Sequence, residues 1–396
     1  MPTAHAVVEC PVPASFRVKQ VEGMFDIPVE RKSRREFEVE VPDLAGGWQV
    51  GAIVGPSGSG KTTIARKLFG RRLYTRRTWP AGKSILDAFP EDVSIKEITS
   101  ALTAVGFSSP PAWVRPYNAL SNGEQFRCDL VRALLTGGDL VAFDEFTSVV
   151  DRTVAKIGSA AVAKAVRKAR VPAKRFVAVT CHYDVLEWLE ADWVVDMATC
   201  ELVRRRLRRP PIRLQLFPCD RSAWRLFAPH HYLSGRLHKS ARCYLTAWEN
   251  RPVAFCAVLS AIGRVLHRRV TRLVTLPDFQ GVGIGRATLD AVAAIQHAEG
   301  YRIAITTGHP AMIAALRRAE TWRLVGWDRS GSQHSGNYRL GTKHKKVLRV
   351  SEVLPDRGSF GRAVARFRYE PPGVARGPVR QASRQARRAG RGSVGP

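Results

Sequence analysis

The chain has 396 residues, more than one hydrophobic core commonly serves, so two domains are expected. Its 63 Lys and Arg against 34 Asp and Glu give a formal net charge of +29, which excludes an ordinary near-neutral surface and points to a polyanionic partner such as DNA, RNA or a ribosome. A basic tail on a neutral protein is the alternative, and the spread of arginine through Arg31–Arg35, Arg71–Arg77, Arg204–Arg209 and Arg376–Arg391 opposes it.

Phe25–Val29 and Phe37–Val41 alternate apolar and polar residues and are predicted as strands broken by Pro28 and Pro42. Trp48–Val54 is an apolar strand that runs into GPSGSGKT, and Thr62–Leu68 continues as a helix. Ser94–Val105, Glu124–Leu135 and Val154–Ala169 are predicted helices, with Leu140–Phe143 and Phe176–Thr180 as strands between and after them. Such alternation predicts an α/β fold with a mostly parallel sheet. Five arginines followed by Pro210-Pro211 mark a hinge, so the expected organisation is 1–205 for the first domain, 206–212 for a basic linker and 213–355 for the second domain. Within the second domain, Cys243–Trp248, Val253–Leu259, Val270–Leu276 and Arg302–Thr307 read as strands, Ile284–Ala298 and Pro310–Ala319 as helices. Residues 356–396 are expected to form a basic, disordered tail; from Pro371 to Pro396 it carries no acidic residue.

Seven scattered cysteines form no CxxC pair, which predicts reduced thiols and no zinc site. No apolar stretch approaches the roughly 18 residues that cross a bilayer. These features predict a soluble, cytoplasmic protein with no signal peptide and no membrane segment.

In Gly55-Pro56-Ser57-Gly58-Ser59-Gly60-Lys61-Thr62 the glycines let backbone N–H groups turn inward around phosphate oxygens. Lys61 reaches the β and γ oxygens of a nucleotide, Thr62 can ligate magnesium, and Thr63 continues the nucleotide-binding segment. The strand Val141–Phe143 delivers Asp144 to the magnesium shell and Glu145 to an attacking water.

Leu120–Arg127, LSNGEQFR, resembles the LSGGQ signature of the ABC-type ATPases, and Arg132–Leu135 resembles the helix that follows it. Asn122 stands where that family often has glycine, a change that asparagine's tolerance of left-handed backbone permits. Glu124 replaces the usual glutamine, as in members that act on DNA. Ser148–Asp151 resembles the family's D-loop and His182 its switch histidine, which contacts the γ-phosphate. The resemblance covers residues 20–205 and implies an ATP-dependent head-to-tail homodimer, with Gly55–Thr62 of one copy facing Ser121, Asn122 and Gly123 of the other. It also implies an aromatic residue on adenine, either Phe25 or Phe37. No glutamine lies between Lys61 and Glu124, so the family's Q-loop residue is missing or replaced, and the short interval argues against a transporter motor.

After Val270–Leu276, the run Gln280-Gly281-Val282-Gly283-Ile284-Gly285-Arg286 opens a helix. It resembles motif A of the GNAT acyltransferases, whose backbone amides hold the pyrophosphate of coenzyme A. A dinucleotide fingerprint would need glycine where Arg286 stands. Many members carry a tyrosine acid on the last helix; here Leu316 and Arg317 occupy the neighbourhood. His230-His231-Tyr232 is either a substrate-side cluster or packing at a domain edge.

The whole chain resembles prokaryotic and phage proteins in which an ABC-type ATPase is fused to an acetyltransferase domain. That resemblance implies ATP, magnesium and acetyl-CoA or another acyl-CoA as ligands, and acyl transfer to an amine on or near nucleic acid. A non-catalytic, ATP-switched nucleic-acid clamp with a degenerate GNAT fold is the alternative, and an importer subunit would need a membrane partner.

Overall fold

The computed structural model describes residues 3–11, 13–26, 32–231, 236–261, 265–329 and 363–371. The chain is mixed α/β and divides into two compact units, Met1–Val292 and Ala293–Pro396.

The first unit opens with an antiparallel hairpin, β1 (Thr3–Pro11) and β2 (Lys32–Glu40), with helix α1 (Phe16–Phe25) inserted between the two strands. The strand expected over Phe25–Val29 is therefore corrected at Phe25, which ends α1; residues 27–29 lie outside the described residues. Ser15 caps that helix by accepting from the Val18 N–H. None of its residues is buried, so no core face imprinted a helical period on the sequence.

Strand β3 (Val50–Val54) is buried throughout and feeds helix α2 (Lys61–Phe69). There follow β4 (Leu73–Tyr74), α3 (Ile95–Ala104), α4 (Pro110–Trp113), α5 (Asn122–Thr136), β5 (Leu140–Phe143), α6 (Arg152–Arg167), β6 (Arg175–Thr180), α7 (Leu186–Leu189), β7 (Trp193–Asp196) and β8 (Glu201–Val203). Their sheet has the order β4-β5-β6-β3-β7-β8, parallel except for the last pair. Gly51 is what allows β3 to lie against β7, because a Cβ there would sit 2.0 Å from the Trp193 ring. Phe126, Phe143, Phe146 and Phe176 pack edge-on or tilted beneath the strand ends, all fully buried.

The same unit continues through β9 (Gln215–Cys219), α8 (Trp224–Phe227), β10 (Arg242–Trp248), β11 (Arg251–Ser260) and β12 (His267–Thr275), an antiparallel meander. Residues 206–212, expected to be a linker, join two layers that share one apolar cluster: Ile157 and Ala160 of α6 and Trp188 of α7 pack with Trp248, Val253 and Phe279. Helix α9 (Ile284–Ala298) contains the boundary between the units.

The second unit holds β13 (Arg302–Thr307), α10 (Pro310–Arg317), β14 (Trp322–Arg329) and β15 (Ala363–Tyr369), with β15 antiparallel to both β13 and β14. The tail expected from residue 356 thus includes a strand. Val364, Ala365, Phe367 and Tyr369 are buried, while Arg366 and Arg368 form ion pairs with Asp328 and Glu370. Residues 356–362 and 372–396 of that tail lie outside the described residues. No described helix is long and apolar enough to cross a membrane.

Candidate functional site

The glycine loop runs from the end of β3 to the start of α2. Gly58 and Gly60 adopt φ of +78° and +82°, the left-handed region that glycine enters without steric cost. Nothing lies within 4 Å of a Cβ at Gly58, whereas one at Gly60 would meet the Phe37 ring at 2.7 Å. Phe37 is therefore the aromatic against the loop; Phe25 sits on α1, 68% exposed. Lys61 is buried and donates to the Pro56 carbonyl at 2.6 Å, curling over the loop. The Ser59 hydroxyl is buried without a partner among the described residues. Gly55 is buried, Pro56 and Ser57 are exposed, and Thr63 is half-buried on α2.

Thr62 Oγ1 donates to Asp144 Oδ1 at 3.0 Å, joining positions 82 residues apart. Asp144 is buried, and its Oδ1 also accepts from the Glu145 N–H at 3.0 Å. Glu145 itself is exposed at φ +51°, and Thr147 follows at +68°, a strained turn that lifts the Glu145 carboxylate off the strand end. The turn is anchored where the Phe146 N–H donates to the Val179 carbonyl at 2.8 Å. His182, just past β6, places Nδ1 3.1 Å from Thr147 Oγ1, and its backbone N–H donates to Thr180 Oγ1 at 3.1 Å. Desolvation, then the Arg152 charge, hold its imidazole below the ordinary histidine value against the pull of Asp184 and Glu145. Lys61, Thr62, Asp144, Glu145 and His182 thus gather at the carboxyl ends of parallel strands, where ligands of such sheets bind. Sequence reasoning missed Thr147; its place two residues after Glu145 was the available signal.

Ser121, Asn122 and Gly123 stand at the start of α5. Ser121 caps that helix in a reciprocal box with Glu124, a role that either glutamate or glutamine fills at that position. Gly123 is buried beneath Arg127, whose Nη1 donates to the Gly123 carbonyl at 3.2 Å. Asp151 caps α6 by accepting from the Thr153 and Val154 N–H groups. Ser121, Asn122, Gly123 and Asp151 line a cavity of about 590 Å³ together with His230 and Asp278. His231 packs its ring 5.6 Å from Trp224, and Tyr232 lies outside the described residues.

The second glycine run leaves β12 through a 3-10 turn, Pro277–Phe279, and enters α9. Gly281 and Gly283 have φ of +93° and +104°; Gly283 faces open space. Gly285 is required by contact with β12, since a Cβ there would lie 2.7 Å from Thr275 Oγ1. Ile284 is buried, Val282 packs against the shared apolar cluster, and Arg286 pairs with Asp290 one turn along α9 at 2.7 Å. The Gln280 side chain accepts from the Ser108 N–H at 2.8 Å and donates to the Thr275 carbonyl at 2.9 Å. In the second unit Leu316 is fully buried and Arg317 exposed on α10.

No family model matches the chain. A zinc import ATP-binding protein of Paracoccus denitrificans is 25% identical over 207 residues, 46% of this chain and 79% of that protein. One from Chromohalobacter salexigens is 30% identical over 125 residues, 26% of this chain, so that the chain spans about half of its length (51%). The likeness to these ATP-binding proteins covers up to 46% of the chain. Among solved structures, a dimeric ATP-binding cassette bound to ADP and phosphate aligns over 46% of this chain and 94% of its own at 18% identity, TM-score 0.34. A Bacillus subtilis acetyltransferase in complex with CoA aligns over 41% and 99% at 12% identity, TM-score 0.29.

Proposed function

We propose that the cassette binds and hydrolyses ATP as a head-to-tail homodimer, and that the GNAT-like domain transfers an acyl group from an acyl-CoA to an amine on or near nucleic acid. The observation that carries the ATPase reading is the 3.0 Å link between Thr62 and Asp144 beside the glycine loop. A hydroxyl and a carboxylate at that spacing form the oxygen donor set that suits magnesium, and the partnerless Ser59 hydroxyl fits a loop made to receive phosphate oxygens. Magnesium held there would neutralise charge on the phosphoryl oxygens. Lys61 and the loop N–H groups hold the β and γ phosphates, and Glu145 orients and polarises water. The water oxygen bonds to the γ-phosphorus as the bridging oxygen departs with the ADP. Neutral His182, with Nδ1 engaged by Thr147, keeps Nε2 available to the γ-phosphate.

The first N–H groups of α9 have no intrahelical acceptor and complement a pyrophosphate, and the open space at Gly283 admits one. The acceptor amine then attacks the thioester carbonyl, forming the amide C–N bond as the C–S bond breaks, and the proton lost by the amine neutralises the departing thiolate as coenzyme A. The net charge of +29 supports a polyanionic acceptor or platform. Leu316 and Arg317, where many GNAT members carry a tyrosine acid, favour the second reading, a non-catalytic clamp.

Mass spectrometry of nucleosides and protein after incubation with ATP, labelled acetyl-CoA and candidate polymers tests the proposal. A labelled amine supports the transferase; acetyl-CoA binding without any labelled product supports the clamp. Glu145→Gln should trap an ATP-bound dimer in size-exclusion chromatography, and a monomer with ATP bound would overturn the sandwich.

A further inference from the structure

The loop that opens α9 is built into the ATPase cassette. Three hydrogen bonds cross from cassette to loop: Arg127 Nη2 to the Asp278 carbonyl at 3.4 Å, the Ser108 N–H to Gln280 Oε1 at 2.8 Å, and Lys164 Nζ to the Gly281 carbonyl at 3.0 Å. Two glycines make the approach possible. A Cβ at Gly106 would sit 2.5 Å from the Gln280 carbonyl oxygen, and one at Gly281 would sit 2.8 Å from the Gly106 Cα and 3.0 Å from the Ala161 Cβ. Both have positive φ, +89° and +93°, so neither position tolerates a side chain on conformational or steric grounds.

The direction of these contacts matters for anion binding. In a trans peptide the C=O and the following N–H point opposite ways. The Gln280 carbonyl faces Gly106, which turns the Gly281 N–H away from the cassette. Capture of the Gly281 carbonyl by Lys164 does the same to the Val282 N–H. Successive N–H groups turned to one side form a concavity for anionic oxygens, and here it opens next to the unfilled space at Gly283. Lys164 lies on α6, half-buried, more than a hundred residues before the loop it steadies.

We propose that Lys164 is a positioning residue for the pyrophosphate cradle, so that the acyl-CoA site is a composite of cassette and GNAT-like domain. The inference rests on the acyl-CoA reading above. Its test is calorimetric, on the full chain, with acetyl-CoA and with S-acetylpantetheine, which has the thioester arm and no phosphate. Lys164→Met should weaken acetyl-CoA roughly tenfold, the scale of one charge-assisted hydrogen bond, and leave S-acetylpantetheine unchanged. Lys164→Arg should recover part of the loss. ATP binding, unaffected by either change, reports that the variants are folded; if Lys164→Met fails that check, Lys164→Gln takes its place in the same comparison. An unchanged acetyl-CoA affinity, or equal losses for both ligands, overturns the positioning role while the acyl-CoA reading stands. Absence of acetyl-CoA binding by the wild-type chain overturns that reading, and the inference with it.

Discussion

His182 faces three charged neighbours. The Arg152 guanidinium disfavours protonation, Asp184 and Glu145 favour it, and desolvation tips the balance toward the neutral ring. A histidine whose folded-state value is lowered contributes stability above its unfolded value, about 6.5, and loses it as pH falls through the lower folded value. His182→Ala should therefore flatten the decline in melting temperature below that pH, and should lower ATP turnover at pH 7.5. Equal pH dependence in the two proteins would count against the assignment. Phe37 and Phe25 make a second contrast. Phe37→Ala should raise the Kd for ATP several-fold by removing the ring that covers the loop at Gly60, while Phe25→Ala on the exposed helix leaves it unchanged; equilibrium binding of a fluorescent ATP analogue separates them.

Glycine sets the spacing between elements at two places in the first unit. Gly51 brings β3 against Trp193 of β7, and Gly158 brings α6 against Phe126 of α5, where a Cβ would lie 2.7 Å from the ring. Gly51→Val should cost about 1–3 kcal/mol through overpacking, read as a shift in the urea midpoint. Asp129, buried on α5, accepts from the Trp79 indole at 2.7 Å and the Tyr117 hydroxyl at 2.8 Å. Burial, then its negative charge, push the Tyr117 phenol well above the usual range. Asp129→Ala would strand both donors at a cost of about 2–4 kcal/mol, also read in urea.

For the molecule as a whole, charge is the dominant property. Arg204, Arg205 and Arg208 are exposed between β8 and β9, and Arg206 pairs with Glu190. Nucleic-acid affinity should fall steeply and linearly on a log–log plot against salt, because each neutralised phosphate releases counterions. A flat dependence in fluorescence anisotropy would leave the charge without that role. Substituting Arg204, Arg205 and Arg208 together with Gln should make the slope shallower by about 0.9 for each duplex phosphate that the variant no longer neutralises.

Sequence alone located the candidate nucleotide site. The glycine loop, Asp144-Glu145, the Ser121 cap and His182 are local patterns, each fixed by a strand end or a helix start that the hydrophobic period announces. It also located β13 at its observed bounds, Arg302–Thr307, because an alternating run with a clean turn at each end needs no distant information. It misread the neighbourhood of Phe25, since an exposed helix carries no periodic signal. It hid β15 among arginines because that strand's outward face is arginine, and it passed over β9, where Pro218 is tolerated at the end of the β12-β11-β10-β9 order. Tertiary structure alone decided that Phe37 covers the loop, that Thr147 meets His182, and that Gly106, Ser108, Arg127 and Lys164 reach the Gln280–Gly281 segment. These residues meet across a few tens to well over a hundred positions of chain, brought together by packing of buried surfaces, and no local pattern encodes a partner at that distance.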